Sequence, residues 1–162
     1  MGIDRDEFAW FFRAEYTEVV RTAYLLTQDR GAAEDIAQEA FSQLYAHWKK
    51  VSHYDRPDAW VRRVAIRLCG KHLKKRGRAR AALEQREEAE EQHASDVDLA
   101  RAVRSLPGSQ RAAIVLFYFE DRPITEVAEI LGCSTSTAKV HLHRARKKLA
   151  DALGEVYDDV SG

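Results

Sequence analysis

The cations and hydroxyls of residues 134–148 are the side chains of this sequence best placed to do chemistry. That stretch holds five Lys or Arg and no Asp or Glu. An uncompensated row of guanidinium and ammonium groups attracts phosphate, and Arg or Lys can also pair with base edges. The surrounding residues 123–149, PITEVAEILGCSTSTAKVHLHRARKKL, supply a frame to aim them. Ile124, Val127, Ala128 and Leu131 recur at helical spacing and form one apolar stripe. Gly132 follows, where a helix favours a left-handed terminal residue, and Ser134 can cap a second helix. In that helix Ala138, Leu142, Ala145 and Leu149 face inward. Ser136, Val140, His143, Arg144 and Lys147 fall on the opposite face, with Lys139 on its flank. The pattern is that of a helix-turn-helix whose second helix enters a DNA major groove.

A second set of chemically capable residues lies in the first half. Residues 62–80 carry nine Lys or Arg and no acid. Arg63, Arg67 and Lys74 share one side of a predicted helix, a basic rail suited to a nucleic-acid backbone. Tyr54 and Trp60 lie beside it, and aromatics next to cations are what unstacked bases need. Trp60 reads equally well as core. The polar loop KKVSHYDRPD, residues 49–58, comes just before the rail. Upstream, Glu34, Asp35, Gln38 and Glu39 form an outer face opposite Ala33, Ile36, Ala37, Ala40, Leu44 and Trp48. Early acids also suit the positive end of a helix dipole, so Glu34 and Asp35 have a purely structural alternative.

The elements needed to position these groups are all helices. Phe8, Phe12, Tyr16, Val19, Ala23 and Leu26 mark a first helix over about residues 5–26. Asp29 and Gly31 mark a break. A second helix is predicted over about 32–48 and a third over about 59–75, with Val61, Ala65, Leu68 and His72 turned inward. Residues 79–94 lack an apolar stripe and read as a mobile linker or a solvated helix. Leu99, Val103 and Leu106 open a second domain, and Ser109 can cap a helix reaching about Phe119. The fold class is therefore all-α. Two small helical domains, residues 5–78 and 97–153, are joined by a flexible acidic linker, 79–96.

Composition fits that plan. The 162 residues carry 26 basic and 26 acidic side chains, so net charge is zero, but the charges are segregated. Residues 84–98 hold seven acids and one Arg between the two basic blocks. No apolar run could span a bilayer and no signal peptide is evident, so a cytoplasmic protein without membrane insertion is expected. Cys69 and Cys133 imply no disulfide framework. Cys69 with His72 gives too few ligands for a closed zinc site, and His141 and His143 point different ways on a helix. No metal, no cofactor and no catalytic residue is expected.

Three segments together resemble a known family. AEDIAQEAF at 33–41 looks like the core-polymerase-binding helix of bacterial sigma factors. PDAWVRRVAIRLCGKHLKKR at 57–76 resembles their promoter-melting helix, and residues 106–149 resemble their fourth conserved region. The whole is similar to the extracytoplasmic-function group, nearest its sigma-E-like members. The resemblance implies a non-enzymatic RNA polymerase subunit that recognises the minus-35 and minus-10 promoter elements and promotes melting. It implies that Glu34, Asp35, Gln38 and Glu39 dock on the clamp of the largest subunit, and that the flap of the second-largest subunit is a further contact. His53, Tyr54 and Asp55 would hold a flipped minus-10 base, with Trp60, Arg62, Arg63 and Arg67 steadying the strands. Lys139, His143 and Arg144 would read the minus-35 element beside Ser136, Val140 and Lys147, with Thr135 and Thr137 on phosphates. It also implies an anti-sigma partner wedged between the domains. Ser136 and Val140 depart from the usual turn, which carries Gly and a small polar residue there, and His141 and His143 replace Arg-rich positions. The base preference therefore does not carry over. A stand-alone helix-turn-helix regulator fits the second domain alone and leaves the acidic face, the rail and the loop unexplained.

Overall fold

A computed structural model describes residues 4–84 and 95–154. Every regular element among these residues is helical. The chain divides into two compact units, residues 1–82 and 83–162. The 10 residues between helices, 85–94, carry most of the expected acidic linker and lie outside the described residues.

The first unit holds α1 (Arg5–Thr27), α2 (Arg30–Val51) and α3 (Pro57–Glu84). Asp4 starts α1, its carboxylate accepting from the N–H groups of Asp6 and Glu7. The corner to α2 is tight. Gln28 takes the left-handed conformation that closes α1, and Asp29 accepts from the Ala32 N–H to cap α2. The second helix therefore begins two residues before the predicted 32, and Asp29 is a cap rather than only a break. Val19, Ala23 and Leu26 of α1 are buried with Ala33, Ala37, Ala40, Phe41, Leu44 and Trp48 of α2. Phe8 and Phe11 meet Trp48 at 5.4 and 5.2 Å between ring centroids, and Phe12 meets Phe41 edge-on at 5.0 Å. Aromatic pairs at such separations add about 0.5–1.5 kcal/mol each beyond their burial. Trp48, with 3% of its surface exposed, is thus a core residue.

The third helix is longer than its apolar pattern indicates. It starts at Pro57, whose fixed φ suits a first helical position, and continues to Glu84. Residues 79–84 of the expected linker are helical, because alanines and arginines hold a solvated helix well without a buried stripe. Ala59, Val61, Val64, Ala65 and Cys69 form its buried side.

The second unit holds α4 (Ser95–Arg104), α5 (Gly108–Ile114), a π-helical turn (Val115–Phe119), α6 (Ile124–Leu131) and α7 (Thr135–Leu153). Helix α4 takes two further residues from the expected linker. Ser109 does not cap α5. Pro107 occupies the cap position, with no side-chain cap bond. The α4–α5 turn is held instead by the buried Arg111, which donates to the Arg104 and Leu106 carbonyls. Ala112, Ala113, Ile114, Val115 and Leu116 are buried with Val127, Ile130, Ala138, Leu142 and Ala145. The single helix predicted to run to Phe119 is interrupted by the wider turn, which leaves Tyr118 and Phe119 each half exposed.

Candidate nucleic-acid and partner surfaces

In the first unit α2 presents the predicted acidic face. Glu34, Asp35, Gln38 and Glu39 are all exposed above buried Ala33, Ile36, Ala37 and Ala40. Because α2 begins at Arg30, its first turn contains no acid. The helix dipole falls off within that turn, so it gives little reason for Glu34 and Asp35 to be acidic. Glu39 accepts from Gln43 Nε2 at 3.1 Å, and Gln43 Oε1 accepts from Arg67 at 3.5 Å. Gln43, not singled out in the sequence, therefore joins the acidic face to the basic rail.

The loop between α2 and α3 leaves His53, Tyr54 and Asp55 exposed. Backbone bonds fold its first half: the His53 N–H donates to Lys50 and the Tyr54 N–H to Val51. Arg56 closes the other end with a two-pronged pair to Asp58, both bonds 3.0 Å. Burial alone would raise the Asp58 pKa, but the hydrogen bond from Arg56 and the charges of Arg56 and Arg62 bring it below the ordinary value. Trp60 is half-buried, its ring centroid 5.6 Å from that of His47. Arg63, Arg67 and Lys74 are exposed along α3.

Arg62 does not belong with them. It is 1% exposed, and its Nη2 donates to Glu15 and Glu18 of α1, both at 2.7 Å. Its Nη1 donates to the Asp58 carbonyl at 3.2 Å. A guanidinium committed to three oxygens inside the unit cannot also reach a strand of DNA. Along a run of cations the sequence alone does not reveal which one turns inward. The signal lay in the facing acids, 44 and 47 residues upstream.

In the second unit the turn closes as its chemistry requires. Gly132 is left-handed at φ 69°, and the Cys133 N–H reaches back to Ala128. Ser134 caps α7, its Oγ accepting from the Thr137 N–H at 3.1 Å and lying 2.9 Å from the Thr137 hydroxyl. A cap of this kind is worth about 1 kcal/mol. Ser136, Thr137, Lys139, Val140, His143, Arg144 and Lys147 are exposed together on α7, and Thr135 is half-buried at its start. Arg146 turns the other way, its Nε bonding the Tyr118 hydroxyl and its guanidinium stacking 5.2 Å from that ring. Behind it an apolar groove of about 270 Å³ is lined by Leu99, Val103, Tyr118, Phe119, Leu149 and Leu153.

Among the described residues no helix is long and apolar enough to cross a membrane, and no group of three His, Cys, Asp or Glu is arranged to hold a metal ion. Cys69 is buried and Cys133 half-buried, both as free thiols.

Comparison with known proteins matches both units. The family described as Sigma-70 region 2 matches residues 11–79, and Sigma-70, region 4, matches residues 96–149. The RNA polymerase sigma-E factor of Streptomyces coelicolor is 31% identical over 152 residues, covering 91% of this chain and 86% of that one. RNA polymerase sigma factor SigV of Bacillus subtilis is 30% identical over 131 residues, covering 78% of this chain and 79% of its own. Among solved structures, the sigma factor RpoE in complex with the anti-sigma factor NepR from Bartonella quintana shares the fold. Its TM-score is 0.67 at 22% identity, with 91% of this chain and 97% of that chain covered. CnrH in complex with the cytosolic domain of CnrY has a TM-score of 0.68 at 21% identity, covering 93% and 90%.

Proposed function

The chain belongs to the sigma-70 family of RNA polymerase sigma factors, in its extracytoplasmic-function group, and from that premise we propose how its surfaces divide the work. The acidic face of α2, with Glu34, Asp35, Gln38 and Glu39, docks on the clamp of the polymerase largest subunit. The loop residues His53, Tyr54 and Asp55 hold a base flipped from the minus-10 element. Trp60, Arg63 and Arg67 steady the separating strands beside them. Helix α7 enters the major groove at the minus-35 element, where Lys139, Val140, His143 and Arg144 face base edges. Thr135, Ser136, Thr137 and Lys147 serve the phosphates there. The groove bordered by Tyr118 and Leu153 takes the flap of the second-largest subunit. An anti-sigma partner holds the protein in check; in support, the fold relative RpoE is seen in complex with the anti-sigma factor NepR. The site of action is the cytoplasm, where core polymerase meets promoter DNA, and the polymerase carries out all bond making.

The observation that carries this reading is the pairing of a first-unit face that is acidic without a helix-dipole reason with a second-unit helix capped by Ser134 and lined with cations. A stand-alone DNA-binding regulator accounts for the second and leaves the first unused, and the match to region 2 removes it. Charge reversal tests the reading. Asp35→Lys with Glu39→Lys places two cations on an exposed surface without touching the buried stripe. Helix content should be unchanged, while affinity for core polymerase should fall about tenfold or more, as opposed charges at an interface do when reversed. Unaltered affinity in a pull-down with purified core would refute the docking assignment.

A further inference from the structure

We infer that Arg62 is a positioning residue for minus-10 recognition: through Asp58 and Arg56 it fixes one end of the loop that presents His53, Tyr54 and Asp55. The inference rests on the proposed role of that loop. A linked set of contacts carries it. Glu15 and Glu18 of α1 each receive Arg62 Nη2 at 2.7 Å. Arg62 Nη1 reaches the Asp58 carbonyl at 3.2 Å and its carboxylate at 3.6 Å. Asp58 in turn takes both prongs of Arg56 at 3.0 Å. Arg56 is the last loop residue, and its carbonyl receives the Trp60 N–H at 3.3 Å. Side-chain charge thus runs from α1 to the loop terminus.

The other end of the loop is held through its backbone. Its first half is pinned by backbone bonds from Ser52, His53 and Tyr54 to the last turn of α2. The side chains of 53, 54 and 55 are exposed, so surrounding packing contributes little to their direction. Their direction is inherited from where the two ends are held. A planar guanidinium reaches several oxygens in one fixed arrangement, which an ammonium on a flexible stem does not. That accounts for an Arg at a buried place inside a unit whose other buried side chains are nearly all apolar. A bland rival is that Arg62 only ties α1 to α3. The two differ in what they affect, since a general tie serves core binding and base choice alike.

The test uses the full-length chain with core polymerase on promoters randomised at the minus-10 element, alongside core affinity and minus-35 preference. The variants are Arg62→Met, which keeps volume and loses the charge, and Asp58→Asn, which removes the charge linking Arg62 to Arg56 and replaces one of the two oxygens that Arg56 reaches with an NH2 donor. Both should lower discrimination among minus-10 bases about tenfold, with core affinity and minus-35 discrimination within about twofold of wild type. Arg62→Lys should restore only part of the loss. If Arg62→Met fails to fold, Asp58→Asn carries the test alone. Unchanged minus-10 discrimination in Asp58→Asn, or a matching loss of core affinity in each folded variant, would overturn the inference. His53→Ala with Tyr54→Ala separates the two layers. If this pair changes minus-10 preference while Asp58→Asn does not, the relay is wrong and the loop assignment stands. If the pair changes nothing, the loop assignment fails and takes the relay with it.

Discussion

Among single residues the sharpest contrast is between cations that look alike in the sequence. Arg144 and Lys147 are both exposed on α7, three residues apart. The guanidinium fork can pair with two acceptors of a guanine, whereas the ammonium suits a phosphate as a point charge. Arg144→Ala should cost about 1–3 kcal/mol at one or two base positions and relax choice there. Lys147→Ala should weaken binding evenly across sequences and lower the salt slope by about 1. Fluorescence anisotropy on mutated minus-35 sites across a salt series distinguishes them, and identical behaviour of the two variants would show that the roles are not divided. Arg146 and Arg62 show what a run of cations conceals. Both stand in basic blocks, yet one stacks on Tyr118 and the other is buried against Glu15 and Glu18. Helical phase marks 146 as off the α7 outer face. Nothing local marks 62, because its partners lie on another helix.

Among elements, the starts of α2 and α3 depend on carboxylates. Asp29 is held below its ordinary pKa first by the Ala32 N–H it accepts, which outweighs the opposing effect of burial, and then by the charges of Arg76 and His72. Asp58 is also lowered, Arg56 and Arg62 outweighing its burial. A pKa lower in the folded chain than in the unfolded one contributes stability above the unfolded value, near pH 4, and that contribution is lost as pH falls through the folded value. The first unit should therefore weaken below about pH 4. In the double variant Asp29→Asn, Asp58→Asn the dependence of thermal midpoint on pH should be flatter in that range, as circular dichroism from pH 6 downward would show. A slope equal to wild type would mean that these two groups do not couple to folding. Helix positions were legible because apolar residues kept helical spacing, and the 132–134 turn because Gly and Ser have specific backbone chemistry. The true ends were less so. Gln28 adopts a left-handed conformation usually taken by Gly or Asn, and Asp29 caps across a corner that reads only as a break. The π-helical turn at 115–119 was not legible, because Val115 and Leu116 are buried as they would be in an unbroken α-helix.

In the whole molecule the zero net charge is a sum of opposed blocks that lie in different stretches of the chain. An acidic face without a dipole reason suits a protein partner, exposed cations on α3 and α7 suit DNA, and seven acids lie in the stretch 84–98 between them. Family and two-domain plan were both readable because three motifs occur in order, each with its own physical reason. Which residue of each motif makes contact was less readable, since inward and outward phases differ by single positions, as Arg62 and Arg63 show. As proposed, one chain supplies both an address on DNA and a dock on the polymerase. The most direct measurement is in vitro transcription with purified core polymerase on a promoter library. Transcripts are expected only when chain and core are both present, from sites sharing two upstream elements near minus-35 and minus-10. DNA binding by the chain with no core association and no transcripts would contradict it.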